Sequence, residues 1–286
     1  MTRVQRSIAG FALCVSLPWS LATTTRQAEQ PEPLLDDHLL FTWYGNPRST
    51  RMGILGEVSG AERAEGLRQQ AAAYQRVTPK RVLPAYHVVA VVAQCTAGAD
   101  GKWRRRETAD VIQRMLDEAR ANGFKLVLDI QPGRSTVADE VAALGAFLAE
   151  PDVYLALDPE FTMKSCDVPG RTIGQLRAAD VNIAIEALET MIHTARLPRK
   201  VLILHQFTLA MLPDKHEIRT SRLVDVVLDM DGFGSQSLKR STYRAIMRQR
   251  PLPNAGIKLF YRQDTQLFTP EQVMALTPTP SVVIYQ

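Results

Sequence analysis

The sequence is poor in cysteine, has little net charge and contains no apolar run that would comfortably cross a membrane. Only three of its 286 residues are cysteines, and the formal net charge is +4. A charge this small gives no argument for a nucleic-acid partner or for an anionic membrane surface. Zinc-ligand spacings and low-complexity tracts are also missing. With 45% apolar residues the chain can still bury a sizeable core, so we expect an ordinary globular protein.

Four signatures of cofactor, metal or covalent chemistry are absent as well. No glycine-rich loop follows the first predicted strand, as a dinucleotide site would require. There is no Gly-x-Ser-x-Gly elbow and no cysteine with a catalytic signature, so covalent acyl transfer is not expected. A His-Glu-x-x-His metal motif is missing too. The sequence therefore predicts no cofactor and no dedicated metal motif.

The N-terminus has the pattern of a secretory signal over residues 1–22. Arg3 and Arg6 precede the apolar run Ile8–Leu17, and Ser20-Leu21-Ala22 offers small residues where a signal peptidase cuts. We expect cleavage and an exported, extracytoplasmic product; a retained N-terminal anchor is the alternative. Residues 23–36, rich in Thr, Gln, Glu and Pro, are predicted to be a disordered linker before a single domain, 37–286.

Removal of that signal would leave two cysteines, Cys95 and Cys166. In an oxidising compartment an even pair predicts one disulfide bond. Two unrelated thiols are the alternative.

The remaining chain alternates short apolar runs with helical patterns. Eight strands are predicted, at Leu39–Gly45, Val82–Gln94, Lys125–Gln131, Val153–Phe161, Lys200–Phe207, Leu223–Asp231, Gly256–Tyr261 and Ser281–Gln286. Helices are predicted between most of them, at Glu62–Val77, Thr108–Ala121, Val137–Ala149, Ala178–Ala195, Leu238–Gln249 and Pro270–Leu276. Crossovers of this length favour parallel pairing. We therefore expect a (β/α)8 TIM barrel whose last helix is missing, with a doubly wound open sheet as the alternative. The basic run Arg104-Arg105-Arg106 is expected to be a solvated loop before a helix.

Polar side chains gather at the C-terminal ends of these strands, where barrels carry their active sites. The candidate catalytic acids are Asp129, Asp158, Glu160, Asp229 and Asp231. The candidate substrate-binding residues are Trp43, Tyr44, Gln131, His205, Gln206, Lys258, Tyr261 and Tyr285. Carboxylates beside aromatic side chains suit a sugar, because aromatic faces stack on sugar rings. His87 lies in mid-strand and is expected to be a hydrogen-bonded core residue.

Asp158 and Glu160 end the most distinctive stretch, and strand alternation would put both on one face. Glycoside cleavage needs a protonated carboxyl as acid and a second carboxylate as nucleophile or base. We expect Glu160 to be the acid, with Asp158 orienting it and raising its pKa. Asp129, Asp229 or Asp231 would be the second carboxylate. A sugar-binding barrel without catalysis is the alternative, and a metal-dependent hydrolase using some of these acids with His205 ranks third.

Two resemblances accompany these residues. Leu-Asp158-Pro-Glu160 resembles a reduced form of the strand-four motif of family 18 chitinases, Asp-x-x-Asp-x-Asp-x-Glu, with Val153 and Ala156 at the first two Asp positions. More of the chain resembles secreted bacterial proteins of the glycoside-hydrolase-like barrel class. The stretches concerned are Tyr44–Pro47, Gly53–Glu57, Ala156–Glu160, Pro169–Gly174, Ala179–Asn182, His205–Phe207 and Asp231–Gly234. This resemblance implies a barrel and an exported protein. We expect the partner to be a carbohydrate or cell-wall glycan. We also expect the chain to be a monomer.

Overall fold

The computed structural model of the protein describes residues 1–2, 33–164, 166–248 and 252–286. Residues 3–32, which hold nearly all of the predicted signal peptide and most of the predicted linker, lie outside the described residues. The end of that linker is structured, since Leu34–Asp37 forms a helical turn, α1. The barrel lies within Pro31–Gln286.

The strands close into a barrel. In the described residues they are β1 His38–Gly45, β2 Arg81–Ala93, β3 Arg104–Arg106, β4 Lys125–Ile130, β5 Val153–Leu157, β6 Lys200–Gln206, β7 Val224–Met230, β8 Asn254–Leu259 and β9 Val282–Tyr285. Eight of them pair in parallel, in the order β1-β9-β8-β7-β6-β5-β4-β2, and β1 pairs with β2 to complete the ring. The predicted (β/α)8 barrel is confirmed.

Helices fill most of the connections between the strands. Besides α1 they are α2 Ile54–Glu57, α3 Gly60–Gln75, α4 Ala109–Ala121, α5 Val137–Ala143, α6 Gly145–Leu148, α7 Ala178–Ala195, α8 Gln236–Arg248 and α9 Pro270–Met274. Leu144 separates α5 from α6, where one helix was predicted. One face of α4, with Val111, Ile112, Met115, Leu116 and Ala119, is buried, and the helix packs against β2 and β4. None of the described helices has the length and hydropathy needed to cross a membrane.

The basic run Arg104–Arg106 is not a loop, although Arg105 and Arg106 are exposed. It forms β3, which pairs antiparallel with the end of β2. Arg104 Nε and Arg106 Nε lie 2.8 and 2.7 Å from the two carboxylate oxygens of Glu140, whose side chain is fully buried. Ion pairing to a buried carboxylate on α5 therefore organises the run, and the sequence pattern did not show that partner.

The interior of the barrel is apolar towards the N-terminal ends of its strands and polar towards their C-terminal ends. Strand alternation points every second side chain inward. The apolar layer contains Leu40, Ala85, Val127, Tyr154, Val201, Val227 and Val282. Leu35 of α1 packs against this layer, and its N–H donates to Asp225 Oδ2. Polar inward-facing groups are thus concentrated at the C-terminal end.

Candidate functional site

A cavity of about 670 Å³ opens at the C-terminal end of the barrel. Six of the predicted site residues line it: Tyr44, Gln131, Asp158, Glu160, Asp231 and Lys258. They come from five different strands or from the turns directly after them. Barrel closure brings these side chains together although they are spread over more than 200 positions of the sequence.

Glu160 stands in a turn rather than on a strand. β5 ends at Leu157, and Pro159–Phe161 forms a short 3-10 helix that was predicted as strand. The Glu160 N–H donates to Asp158 Oδ1 at 3.2 Å, so Asp158 holds the turn that carries Glu160. Glu160 is half-buried. Burial and the neighbouring Asp231 raise the pKa of Glu160, against the opposing effect of Lys258. A raised pKa suits a carboxyl that must hold a proton.

Asp158 is buried at the floor of the cavity and is held by an amide. Gln131 Nε2 donates to Asp158 Oδ2 at 3.3 Å, while Gln131 Oε1 accepts from the N–H of Ala93 at 3.1 Å. The second bond fixes which way the Gln131 amide points. Burial, together with the charge of Asp129, raises the pKa of Asp158 well above its usual range. Asp158 is therefore more readily protonated than an ordinary aspartate.

Lys258 supplies a buried positive charge at the same floor. Its Nζ lies 3.2 Å from Asp231 Oδ2 and 3.6 Å from the centroid of the Tyr44 ring. Burial alone would lower the pKa of Lys258, but Asp231 and the other surrounding carboxylates raise it. Lys258 thus remains charged at neutral pH and compensates a negative charge on Asp231.

Beneath the floor lies a second polar layer, which does not line the cavity. It contains His87, Asp129, His205 and Asp229, all fully buried. His205 Nδ1 lies 3.0 Å from Asp229 Oδ2, and His205 Nε2 lies 3.5 Å from Asp129 Oδ2. His87 Nε2 is 3.9 Å from the same Asp129 oxygen. His87, Asp129 and His205 each offer a donor atom, and these atoms all lie within 4.8 Å of one another, so this trio could hold a metal ion.

The buried groups of this layer shift one another's pKa values. Although burial alone would raise it, the neighbouring His205, His87 and Lys258 lower the pKa of Asp129 to about 2. Burial lowers the pKa of His87 well below its usual range. Burial also raises the pKa of Asp229, which interacts directly with His205. Asp129 and Asp229, both predicted as catalytic, lie in this buried layer and do not line the cavity.

Five of the eight predicted substrate-binding residues do not line the cavity. Trp43 and Tyr261 both donate to Gln70 Oε1 on α3, each at 2.6 Å. Tyr285 Oη lies 2.9 Å from Tyr74 Oη, also on α3. Gln206 donates to the Thr208 carbonyl at 2.9 Å. Their side chains point away from the barrel interior. His205 does point inward, but it belongs to the buried layer.

The predicted disulfide bond is wrong. Cys95 and Cys166 are both exposed and unpaired. Each lies in a polar loop, and no contact within the described residues brings their sulfur atoms together.

Some cavity residues were missed by the sequence analysis. Aromatic side chains of the wall include Phe161, Phe207, Phe233 and Phe260. Lys239 of α8 also lines the cavity, with its Nζ 3.0 Å from Asp264 Oδ2. Phe207 and Phe260 follow the last residues of β6 and β8 directly, so their position after a strand was the available signal.

Comparison with known proteins adds little beyond the fold. No family model matches this chain. No curated protein matches it either. Among solved structures, oxaloacetate acetylhydrolase in complex with 3,3-difluorooxalacetate is 16% identical, with a TM-score of 0.44, covering 88% of this chain and 77% of that one. A broad-specificity endoglucanase from Clostridium longisporum is 6% identical, with a TM-score of 0.45, covering 88% and 86%.

A third similar structure is a muramidase from Acremonium alcalophilum. It is 14% identical, with a TM-score of 0.30, and the match covers 56% of this chain and 71% of that one. Similarities this low carry no argument about function, because barrels host many chemistries. The function has to be argued from the site.

Proposed function

We propose that this protein is an exported carbohydrate-active enzyme, a glycoside hydrolase with its active site in the cavity at the C-terminal end of the barrel. One observation carries the proposal. Glu160, a half-buried carboxyl with a raised pKa, shares the cavity with Asp231, a second carboxylate whose charge is compensated by Lys258. Glycoside cleavage uses two carboxyl groups in such different environments.

The roles follow from these environments. Glu160 is the general acid: its carboxyl proton moves to the glycosidic oxygen as the bond from that oxygen to the anomeric carbon breaks. Asp231 is the second carboxylate. It either takes a proton from the attacking water or itself attacks the anomeric carbon, and the choice between these depends on its separation from Glu160 in the complex with substrate. Lys258 stabilises the negative charge of the buried Asp231 carboxylate.

Asp158 is a positioning residue in this scheme. Its Oδ1 accepts the N–H of Glu160 and its Oδ2 accepts from Gln131, so it connects the acid to a fixed amide. These contacts support the expectation that Asp158 orients Glu160, but the neighbouring carboxylate that raises the pKa of Glu160 is Asp231 and not Asp158. Asp129 and Asp229 do not line the cavity, so they are not proposed to touch substrate.

The cavity wall suits sugar rings. Aromatic side chains offer faces for stacking, and Gln94, Gln263 and Gln286 offer amides for hydroxyl groups. A volume of about 670 Å³ is within the usual range for a small-molecule site. Phe233, which is 61% exposed at the mouth, extends the apolar surface outward.

The test is turnover of defined glycans by the purified chain. A panel of β-linked glucans, chitin oligosaccharides and purified peptidoglycan is assayed for new reducing ends. Glu160→Gln is expected to lower turnover by about 10²–10⁴-fold while binding is retained. Glu217→Gln makes the same chemical change on the exposed surface and should leave turnover unchanged.

Other results would favour the alternatives. Glycan binding without turnover by the native protein would support a carbohydrate-binding barrel that lacks catalysis. Turnover that survives Glu160→Gln but is abolished by a chelator would support a metal-dependent hydrolase instead.

A further inference from the structure

The buried layer below the cavity contains side-chain atoms without hydrogen-bond partners. Within the described part of the chain, His87 Nε2, His205 Nε2 and both carboxylate oxygens of Asp129 make no hydrogen bond. All three residues are fully buried. Buried polar atoms are nearly always paired. One donor atom from each of these three residues lies within 4.8 Å of the other two, so the unpaired atoms indicate a ligand site.

The spacing of these atoms fits coordination rather than hydrogen bonding. Asp129 Oδ2 lies 3.5 Å from His205 Nε2 and 3.9 Å from His87 Nε2. Both separations exceed the ~3.2 Å limit of a good N–H···O bond. Metal–ligand bonds of ~2.0–2.1 Å in a tetrahedral site place neighbouring ligand atoms about 3.4 Å apart. The two measured separations are close to that spacing.

The opposite ring nitrogen of His205 is already engaged, since Nδ1 lies 3.0 Å from Asp229 Oδ2. When Nδ1–H donates to a carboxylate, the lone pair is on Nε2, which is the arrangement of a metal-binding histidine with its supporting acid. His205 is therefore held with Nε2 towards Asp129. His87 has no such acid: its Nδ1 lies 3.5 Å from Thr42 Oγ1, and its Nε2 lies 3.9 Å from Asp129 Oδ2.

We propose that His87, Asp129 and His205 bind one divalent transition-metal ion beneath the floor of the cavity, with zinc as the preferred probe. Two imidazole nitrogens with one carboxylate suit zinc and its first-row neighbours better than magnesium or calcium, which prefer oxygen ligands. The ion would join β2, β4 and β6 inside the barrel. It would not touch substrate, since none of its ligands lines the cavity.

Charge in the barrel interior supports this site. Asp129, Asp229 and Asp231 lie close to His205, and Lys258 is the nearby buried cation. A divalent cation would add positive charge among these three acids. The competing account is a doubly protonated His205 that bridges Asp129 and Asp229 without metal, which still leaves His87 Nε2 unpaired.

The experiment measures metal content, independently of any glycan turnover. The full chain is produced in medium with added zinc, passed through gel filtration and analysed by mass spectrometry for bound metal. We expect one zinc per chain. His87→Gln and Asp129→Asn should each weaken zinc binding by at least about 10–100-fold, and Asp229→Asn by a similar factor through its contact with His205. The matched control His216→Gln removes an exposed imidazole outside the barrel and should retain the zinc.

A second measurement does not depend on the variants folding. X-ray absorption of the zinc-loaded native protein should show imidazole nitrogen and carboxylate oxygen around the ion. Native protein that carries no stoichiometric zinc would overturn the site and favour the protonated His205. Zinc that stays bound in His87→Gln and Asp129→Asn, or an absorption spectrum without imidazole, would overturn it equally. None of these three results would affect the proposal that Glu160 is the general acid.

Discussion

Replacement of Lys258 with methionine tests whether a single buried cation holds the acidic floor of the cavity together. The lysine is nearly fully buried, and its Nζ lies 3.2 Å from Asp231 Oδ2. Methionine keeps most of the apolar stem but removes the charge. Asp231 would then remain buried without its cation.

The structure sets the size of the effect. At 3.2 Å, two unit charges attract by about 5 kcal/mol at an effective dielectric constant of about 20. The desolvation cost of Lys258 offsets part of this, but removal of one member of a buried pair typically costs about 3–5 kcal/mol. Loss of the contact with the Tyr44 ring, which the Nζ approaches to 3.6 Å, adds about 1–2 kcal/mol at a desolvated position. We expect Lys258→Met to lower the free energy of unfolding by about 3–5 kcal/mol.

The assay is urea unfolding at neutral pH, followed by circular dichroism. Asp231→Asn and the double variant complete a thermodynamic cycle, in which Lys258 and Asp231 should show a coupling of at least about 1 kcal/mol. Arg114→Met breaks an exposed pair with Asp110 and should cause no measurable change. A loss below about 1 kcal/mol for Lys258→Met, or a cycle without coupling, would refute this account of the floor.

Three further predictions concern the acid, a buried ion-pair network and two glycines. Because the pKa of Glu160 is raised, turnover should fall on the alkaline side as Glu160 loses its proton, and Glu160→Gln should abolish that limb of the pH profile. Burial alone would raise the pKa of Glu140, but its arginine partners lower it. The ionised Glu140 therefore stabilises the folded state fully above the unfolded pKa of about 4.3, and this stabilisation is lost as the pH falls through the folded pKa. Glu140→Gln should therefore cost about 1–3 kcal/mol at neutral pH and less in acid, as measured by urea unfolding. Gly66→Ala should lower the midpoint of thermal unfolding, because its new Cβ would lie 2.5 Å from the Trp43 ring. Gly145→Ala meets its nearest atom at 3.7 Å and should raise the free energy of unfolding by about 0.5–1 kcal/mol.

The barrel was predictable because its signals are local. Apolar runs such as Lys125–Ile130 and Val224–Met230 became strands at nearly the predicted residues. The helix predicted at Thr108–Ala121 spans Ala109–Ala121. The 3-10 turn at Pro159–Phe161 was not predicted. The apolar run before it continues to Phe161 without a clear break, so the alternation of side chains was extended to Glu160 as if it were still on the strand.

The site was only partly predictable because it depends on which face each residue takes. Tyr44 lines the cavity while its neighbour Trp43 packs against α3, as strand alternation requires of adjacent residues. Sequence analysis had placed both in the site. His87 was assigned to the core from its position in mid-strand, yet its unpaired Nε2 faces Asp129, which no sequence pattern indicates.

Strand order, helix positions and the gathering of acids at strand ends were thus set by the sequence alone, because periodicity and composition act over short distances. The tertiary structure decided what those acids do. Closure of the ring brought Asp158, Glu160, Asp231 and Lys258 from three strands to one cavity. Depth along the barrel then separated them from Asp129 and Asp229, which lie in the buried layer below. Distances between residues far apart in the chain determine pKa values, ion pairs and metal-binding geometry, and only the folded barrel fixes those distances.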